Sequence, residues 1–160
     1  MSRAEPDAVL DEIEAMYRER YAVFLRVATA IVGDADLARD AVHDGFVRAV
    51  RHRRRFRGDS LDGWIWRIVV NAARKRRARE RAVPLQPTTR HSTESPENGD
   101  LRALVASLPE RQRHALFLRY YADLDYRSIA AALGVRPGTV AAHLHAAHET
   151  LRARLEEKER

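Results

Sequence analysis

The segment Phe56 to Arg79, FRGDSLDGWIWRIVVNAARKRRAR, admits few folds. Leu61, Trp64, Ile65, Ile68, Val69 and Ala72 recur at i, i+3, i+4, i+7, i+8 and i+11. That is one apolar stripe of an α-helix and no pattern for a strand. Arg67, Asn71, Arg74 and Ala78 share a second face at the same spacing. The first face needs neighbouring helices to cover it. The second carries guanidinium and amide donors, which suit phosphate oxygens and base edges. Trp64 lies on the stripe and reads as core. Trp66 lies off it and faces either a neighbouring helix or DNA.

The flanking residues supply those neighbours. Tyr17, Tyr21, Phe24, Leu25, Ala28, Ile31 and Val32 form one helical stripe. Gly33 stops that helix, and Asp34 or Asp36 caps the next. Ala38, Ala41, Val42, Gly45, Phe46, Ala49 and Val50 form a second stripe, which runs into Arg51-His52-Arg53-Arg54-Arg55. Asp59 or Ser60 caps the third helix, and Asp62 suits its first turn. The expected fold is all-α.

Charge narrows the function. Between Arg48 and Arg81 stand 13 basic and 3 acidic groups, a local net charge of +10, whereas residues 1–47 are net −5 and the whole chain +6. Such a positive potential attracts polyanions and speeds encounter with them. With Trp64 and Trp66 interleaved among the cations, nucleic acid is the expected partner. The acidic front points to a second, basic protein partner. The absence of Cys excludes disulfides and thiolate metal sites. No apolar run reaches the ~18 residues of a bilayer span, and MSRAEPDAVLDEIEAMY lacks the basic-then-apolar order of a secretory signal. A cytoplasmic protein with no membrane insertion and no cofactor is expected.

Residues 82–99, AVPLQPTTRHSTESPENG, hold three prolines and five Ser/Thr residues and read as a flexible linker. Fully extended, they span ~60 Å at ~3.3 Å per residue. Two small helical domains follow from this division, over 8–81 and 100–157. In the second, Ser107 and Glu110 have capping-box spacing around Pro109. Leu116, Phe117, Tyr120 and Tyr121 supply an apolar side. Asp125 caps a short helix over 126–133, Gly134 ends it, and a longer helix starts at Pro137 with Val140, Leu144, Ala147, Leu151 and Leu155 as its stripe. Short helix, glycine turn and longer helix make a helix-turn-helix. Its second helix would present Thr139, Ala142, His143 and Ala146 to the bases of a major groove.

Several pieces in order resemble the extracytoplasmic-function RNA polymerase sigma factors of the sigma-70 family. They are ARDAVHDGF from Ala38, FRGDS from Phe56, WIWRIVVN from Trp64, LPERQR from Leu108, LRYY from Leu118, LGV from Leu133 and GTV from Gly138. The resemblance implies a region 2 bundle and a region 4 helix-turn-helix that direct promoter-specific initiation without catalysis. It implies that Asp40, His43 and Asp44 dock on a coiled coil of the polymerase largest subunit, and that the flap is a further contact. His43 and Asp44 stand where the family usually has Gln and Glu. It implies that Phe56, Arg57, Gly58 and Ser60 receive an unstacked base of the −10 element. Arg67, Asn71, Arg74 and Arg77 would line the adjacent DNA, both duplex and single strand. Arg136, Thr139, Ala142 and His143 would meet the −35 element. An anti-sigma factor is a further partner that the family implies.

The −35 helix departs from the family pattern. Thr139 to Ala147 holds no Lys or Arg. Each missing phosphate contact weakens binding through lost counterion release, so −35 binding is expected to be weaker than −10 binding. No two of His143, His145 and His148 are four residues apart, which argues against a metal; His145 and Glu149 are placed to pair. The alternative function is a stand-alone helix-turn-helix regulator. Neither a catalytic triad order nor a phosphate-cradling glycine loop supports an enzyme.

Overall fold

The computed structural model describes residues 6–58, 60–82 and 96–160. Its described residues hold seven α-helices and no strand. They are α1 (Pro6–Val32), α2 (Ala35–His52), α3 (Leu61–Ala82), α4 (Pro96–Ala106), α5 (Glu110–Tyr120), α6 (Tyr126–Leu133) and α7 (Pro137–Lys158), with one 3-10 turn over Arg53–Arg55.

Local chemistry sets most of the ends. Gly33 takes a left-handed φ of 83°, which ends α1. The Asp34 carboxylate then accepts from the amides of Asp36 and Leu37, both at 2.9 Å. Ser60 caps α3, its Oγ accepting from Gly63 N at 3.0 Å; Asp59 lies outside the described residues. Asp125 caps α6 by accepting from Ser128 N at 2.7 Å. This bond, with a second from the Ser128 hydroxyl, holds the Asp125 carboxyl below its usual range. Gly134 closes α6 at φ 66°, and Val135 N reaches back to the Ala130 carbonyl.

One expected cap is absent. Ser107 does not open α5; its hydroxyl donates to the Leu104 carbonyl and closes α4 instead. Pro109 occupies the position before α5 and gives no side-chain cap. Helix α4 begins at Pro96, inside the stretch read as linker, while 83–95 lie outside the described residues.

Helices α1, α2 and α3 share one core. The α2 stripe is buried as expected from Ala38 to Ala49. Gly45 lets α3 approach closely: a Cβ there would lie 2.8 Å from Val69 Cγ2. The α3 stripe is rotated by about one residue from the expected one. Ile65, Trp66, Val69, Val70 and Ala73 are fully buried, whereas Leu61, Trp64 and Ile68 are half-buried. Trp66 is therefore core, stacked on Phe24 at 3.9 Å.

Helices α5, α6 and α7 form the second core around Leu116, Leu118, Ile129, Val140 and Leu144. Tyr120 and Tyr121, expected inside it, lie largely at the surface. The Tyr120 hydroxyl and His148 Nε2 share a hydrogen bond at 2.8 Å, and His145 is exposed. Leu151 is half-buried and Leu155 exposed, so α7 outruns the core it packs on.

Candidate nucleic-acid interface

The α3 face assigned to DNA begins at its cap. Phe56 is half-buried against Trp64, ring centroids 5.5 Å apart. Arg57 is exposed, with Nη1 on the carbonyl of Arg54 at 2.6 Å. Gly58 is exposed, and among the described residues positive φ values occur at Gly33, Gly134 and Asp123, not at Gly58. Phe56 is therefore held by an aromatic contact, while Arg57 and Gly58 face solvent.

One and two turns further on, Arg67 and Asn71 are exposed. Arg74, half-buried, donates from Nε to Glu110 Oε1 at 3.2 Å. Asn71, Arg74, Lys75, Arg77, Ala78 and Glu110 line a cleft of 450 Å³. Burial alone would raise the Glu110 carboxyl, but the hydrogen bond and charge of Arg74, with His114 and Arg113, hold it below its usual value. Arg77 stands apart from the exposed pair. It spans to α1, where Nη1 donates to the Ile31 carbonyl at 2.7 Å, so this guanidinium serves a helix end in the fold.

His114, on α5, is a group that the sequence pattern did not single out. It is 1% exposed and lies 4.0 Å from Glu110. Burial pushes its pKa down to about 4 despite Glu110, and Arg113, Arg74 and Arg77 add to that shift.

Asp40, His43 and Asp44 lie on α2. Asp40 pairs with Arg76 at 3.5 Å, and the same guanidinium holds Asp44. Arg76 had no assigned role, because a partner 32 residues away leaves no local spacing to find. His43 is exposed and lines a groove of 730 Å³ between α1 and α2 with Ile13, Tyr17, Phe46 and Val47. The two carboxylates thus point to α3 while His43 borders an apolar groove.

At the start of α7, Arg136, Thr139 and Ala142 are exposed and His143 half-buried. The turn before them carries no carboxylate, and Pro137 starts the helix.

Comparison with known proteins covers both halves. Residues 16–83 match the sigma-70 region 2 family, and residues 98–151 match the sigma-70 region 4 family. The chain is 29% identical over 157 residues to the ECF RNA polymerase sigma factor SigE of Mycolicibacterium smegmatis, covering 89% of this chain and 60% of that protein. It is 31% identical over 159 residues to the ECF RNA polymerase sigma factor SigL of Mycobacterium tuberculosis, covering 91% and 89%. The fold resembles the sigma factor RpoE of Bartonella quintana, solved with the anti-sigma factor NepR, at a TM-score of 0.69 and 23% identity, covering 92% of this chain and 98% of that one. Two region models in order over two helical modules, with relatives of this kind along nearly the whole chain, place it in one group: the chain belongs to the sigma-70 family, among the extracytoplasmic-function RNA polymerase sigma factors.

Proposed function

We propose that this chain directs promoter-specific transcription initiation by binding core RNA polymerase and two promoter elements. Its role is regulatory and not catalytic, and it acts in the cytoplasm; among the described residues no helix is long and apolar enough to cross a membrane. The observation that carries the reading is the shared face of Arg67, Asn71 and Arg74 on α3, within a region 2 match and ahead of a region 4 match.

In this reading the Phe56–Ser60 loop takes an unstacked base of the −10 element. Capture of the flipped base offsets the few kcal/mol lost on unstacking it, so binding energy alone opens the duplex. Arg57, Arg67 and Arg74 neutralise phosphates, and Asn71 offers both a donor and an acceptor. The groove beside His43 and the Asp40 and Asp44 carboxylates receive the polymerase coiled coil. Arg136, Thr139, Ala142 and His143 enter the −35 major groove, with the flap supporting that module. An anti-sigma factor is a partner by likeness to its relatives.

Co-purification with core polymerase followed by run-off transcription tests the reading. Stoichiometric binding and new transcript starts are expected. A chain that binds duplex operators as a dimer and never joins the polymerase would instead be a stand-alone helix-turn-helix regulator.

A further inference from the structure

The run Arg74-Lys75-Arg76-Arg77 on α3 reads as one cationic patch, but its members face different ways. Arg76 lies roughly 180° round the helix from Arg67 and roughly 200° from Arg74. Arg74, Lys75 and Arg77 line the cleft beside Asn71, and Arg76 does not. It turns to α2 instead. Its Nη1 donates to Asp40 Oδ2 at 3.5 Å, and its Nη2 donates to Asp44 Oδ2. The Arg76 side chain is 25% exposed, whereas Asp40 is 64% and Asp44 43% exposed. The cation is thus the inner member of the triad and the carboxylates the outer ones.

Asp40 and Asp44 stand four residues apart on one helix, so their charges repel each other. One guanidinium shared between them offsets that repulsion. Its planar fork fixes the direction of each bond, which a lysine ammonium does not do. Each carboxylate gives its Oδ2 to Arg76, and its Oδ1 takes no hydrogen bond among the described residues. An ionised carboxylate has acceptor capacity on both oxygens. The triad keeps a net negative charge and can still accept from a further cation.

We infer that Arg76 is a positioning residue of the polymerase-docking surface and no contact to DNA: from α3 it holds Asp40 and Asp44 in place and leaves their outer oxygens for a basic partner. This rests on the proposed function, which gives those two carboxylates to the polymerase coiled coil. Side chains ordered before docking need not be ordered by it, and that saving appears as affinity. The alternative is plain electrostatics. Residues 1–47 are net −5, so removing a cation from this face raises its attraction for a basic partner. Positioning and bare attraction therefore give opposite signs when Arg76 is lost.

The test uses the full-length chain, labelled with fluorescein at its N-terminus and titrated with core RNA polymerase at fixed salt. Arg76→Ala is expected to bind roughly threefold to tenfold more weakly, although it makes the face more negative. Arg76→Lys is expected to recover part of that loss. Asp40→Asn combined with Asp44→Asn is expected to bind more weakly as well. Adding Arg76→Ala to that pair is expected to change nothing further, because Arg76 acts through the two carboxylates. Ion pairs this exposed add little to fold stability, so Arg76→Ala is expected to melt close to the parent. Arg76→Gln, which keeps donors without charge, replaces it if it melts early. In a salt series with mixed-sequence single-stranded DNA, Arg76→Ala is expected to keep the parent's slope.

Tighter or unchanged polymerase binding by Arg76→Ala, with the paired asparagine chain weakened, overturns the positioning role and leaves the docking assignment standing. A loss of equal size in the asparagine background places the effect of Arg76 in the fold and overturns the role too. A DNA salt slope smaller by about 0.7 makes Arg76 a phosphate contact and overturns its separation from DNA. Full polymerase binding by the paired asparagine chain removes Asp40 and Asp44 from docking, and the role of Arg76 with them.

Discussion

Trp66 lies flat against Phe24, the ring centroids 3.9 Å apart and the planes 18° from parallel, with neither side chain exposed. This pair joins α3 to α1 at the centre of the front module. Phe24 also meets Phe46 of α2 edge-on at 4.9 Å, so three helices converge on one aromatic cluster. Trp66→Ala is expected to cost about 3–5 kcal/mol through lost burial and the cavity left behind. Trp66→Phe, which keeps a ring on Phe24, is expected to cost clearly less. Urea unfolding of the three chains checks this, and an alanine variant as stable as the parent would contradict it.

His114 gives the chain an acid-sensitive step. Its pKa in the folded protein is about 4, against an ordinary 6.5. Below pH 6.5 the unfolded chain binds a proton there that the folded chain does not, so stability falls as the pH drops from 6.5 to about 4 and levels off below that. The expected loss over that window is on the order of 3 kcal/mol. His114→Leu is expected to flatten the dependence. Unfolding midpoints at pH 7 and pH 5 for both chains decide it: equal slopes would remove His114 from the account.

The arginines of α3 divide into two kinds with different readouts. Arg67 is exposed, and Arg67→Ala is expected to reduce the slope of log affinity against log salt for single-stranded DNA by about 0.7, one phosphate's worth. Arg77 holds the Ile31 carbonyl. Arg77→Ala is expected to destabilise the fold by about 1.5–3 kcal/mol, the range for a hydrogen bond to a charged group. Salt titrations beside thermal unfolding separate the two, and a swap of the two effects would refute the division.

Asp125 caps the helix that both opens the helix-turn-helix and covers α3. Asp125→Ala is expected to cost about 1 kcal/mol. Since the native carboxyl titrates below its unfolded value, that stabilisation is present at neutral pH and lost as the pH falls through the carboxylate range. Asp125→Asn, which keeps an acceptor oxygen, is expected to retain most of the cap without the pH dependence. Circular dichroism melts at pH 7 and pH 3 provide the measurement.

The ends of the helices were legible because their causes are local. Gly33, Asp34, Asp125, Gly134 and Pro137 act within a few residues through a left-handed φ, an amide cap or a fixed φ, and all five stand where the pattern put them. The α2 stripe was legible too, because α2 is apolar on one side only. The two modules followed from the composition of 82–99, and the family from motifs in order.

The facing of α3 was not legible. From Trp64 to Val70 it is apolar around most of its circumference, so periodicity cannot choose between the Trp64 stripe and the Trp66 stripe. Contact with Phe24 and Val69's approach to Gly45 made that choice. The pairings of Arg76 with Asp40 and Asp44, Arg77 with Ile31 and Arg74 with Glu110 join residues 32 to 46 positions apart. No sequence spacing encodes them, since they exist only once separate helices are brought side by side. Backbone conformation and amide capping are decided within one turn, and so the amino-acid order alone determined them. Which face is covered, and which cation remains free for a phosphate, depends on distances between helices, and only the tertiary structure decided it.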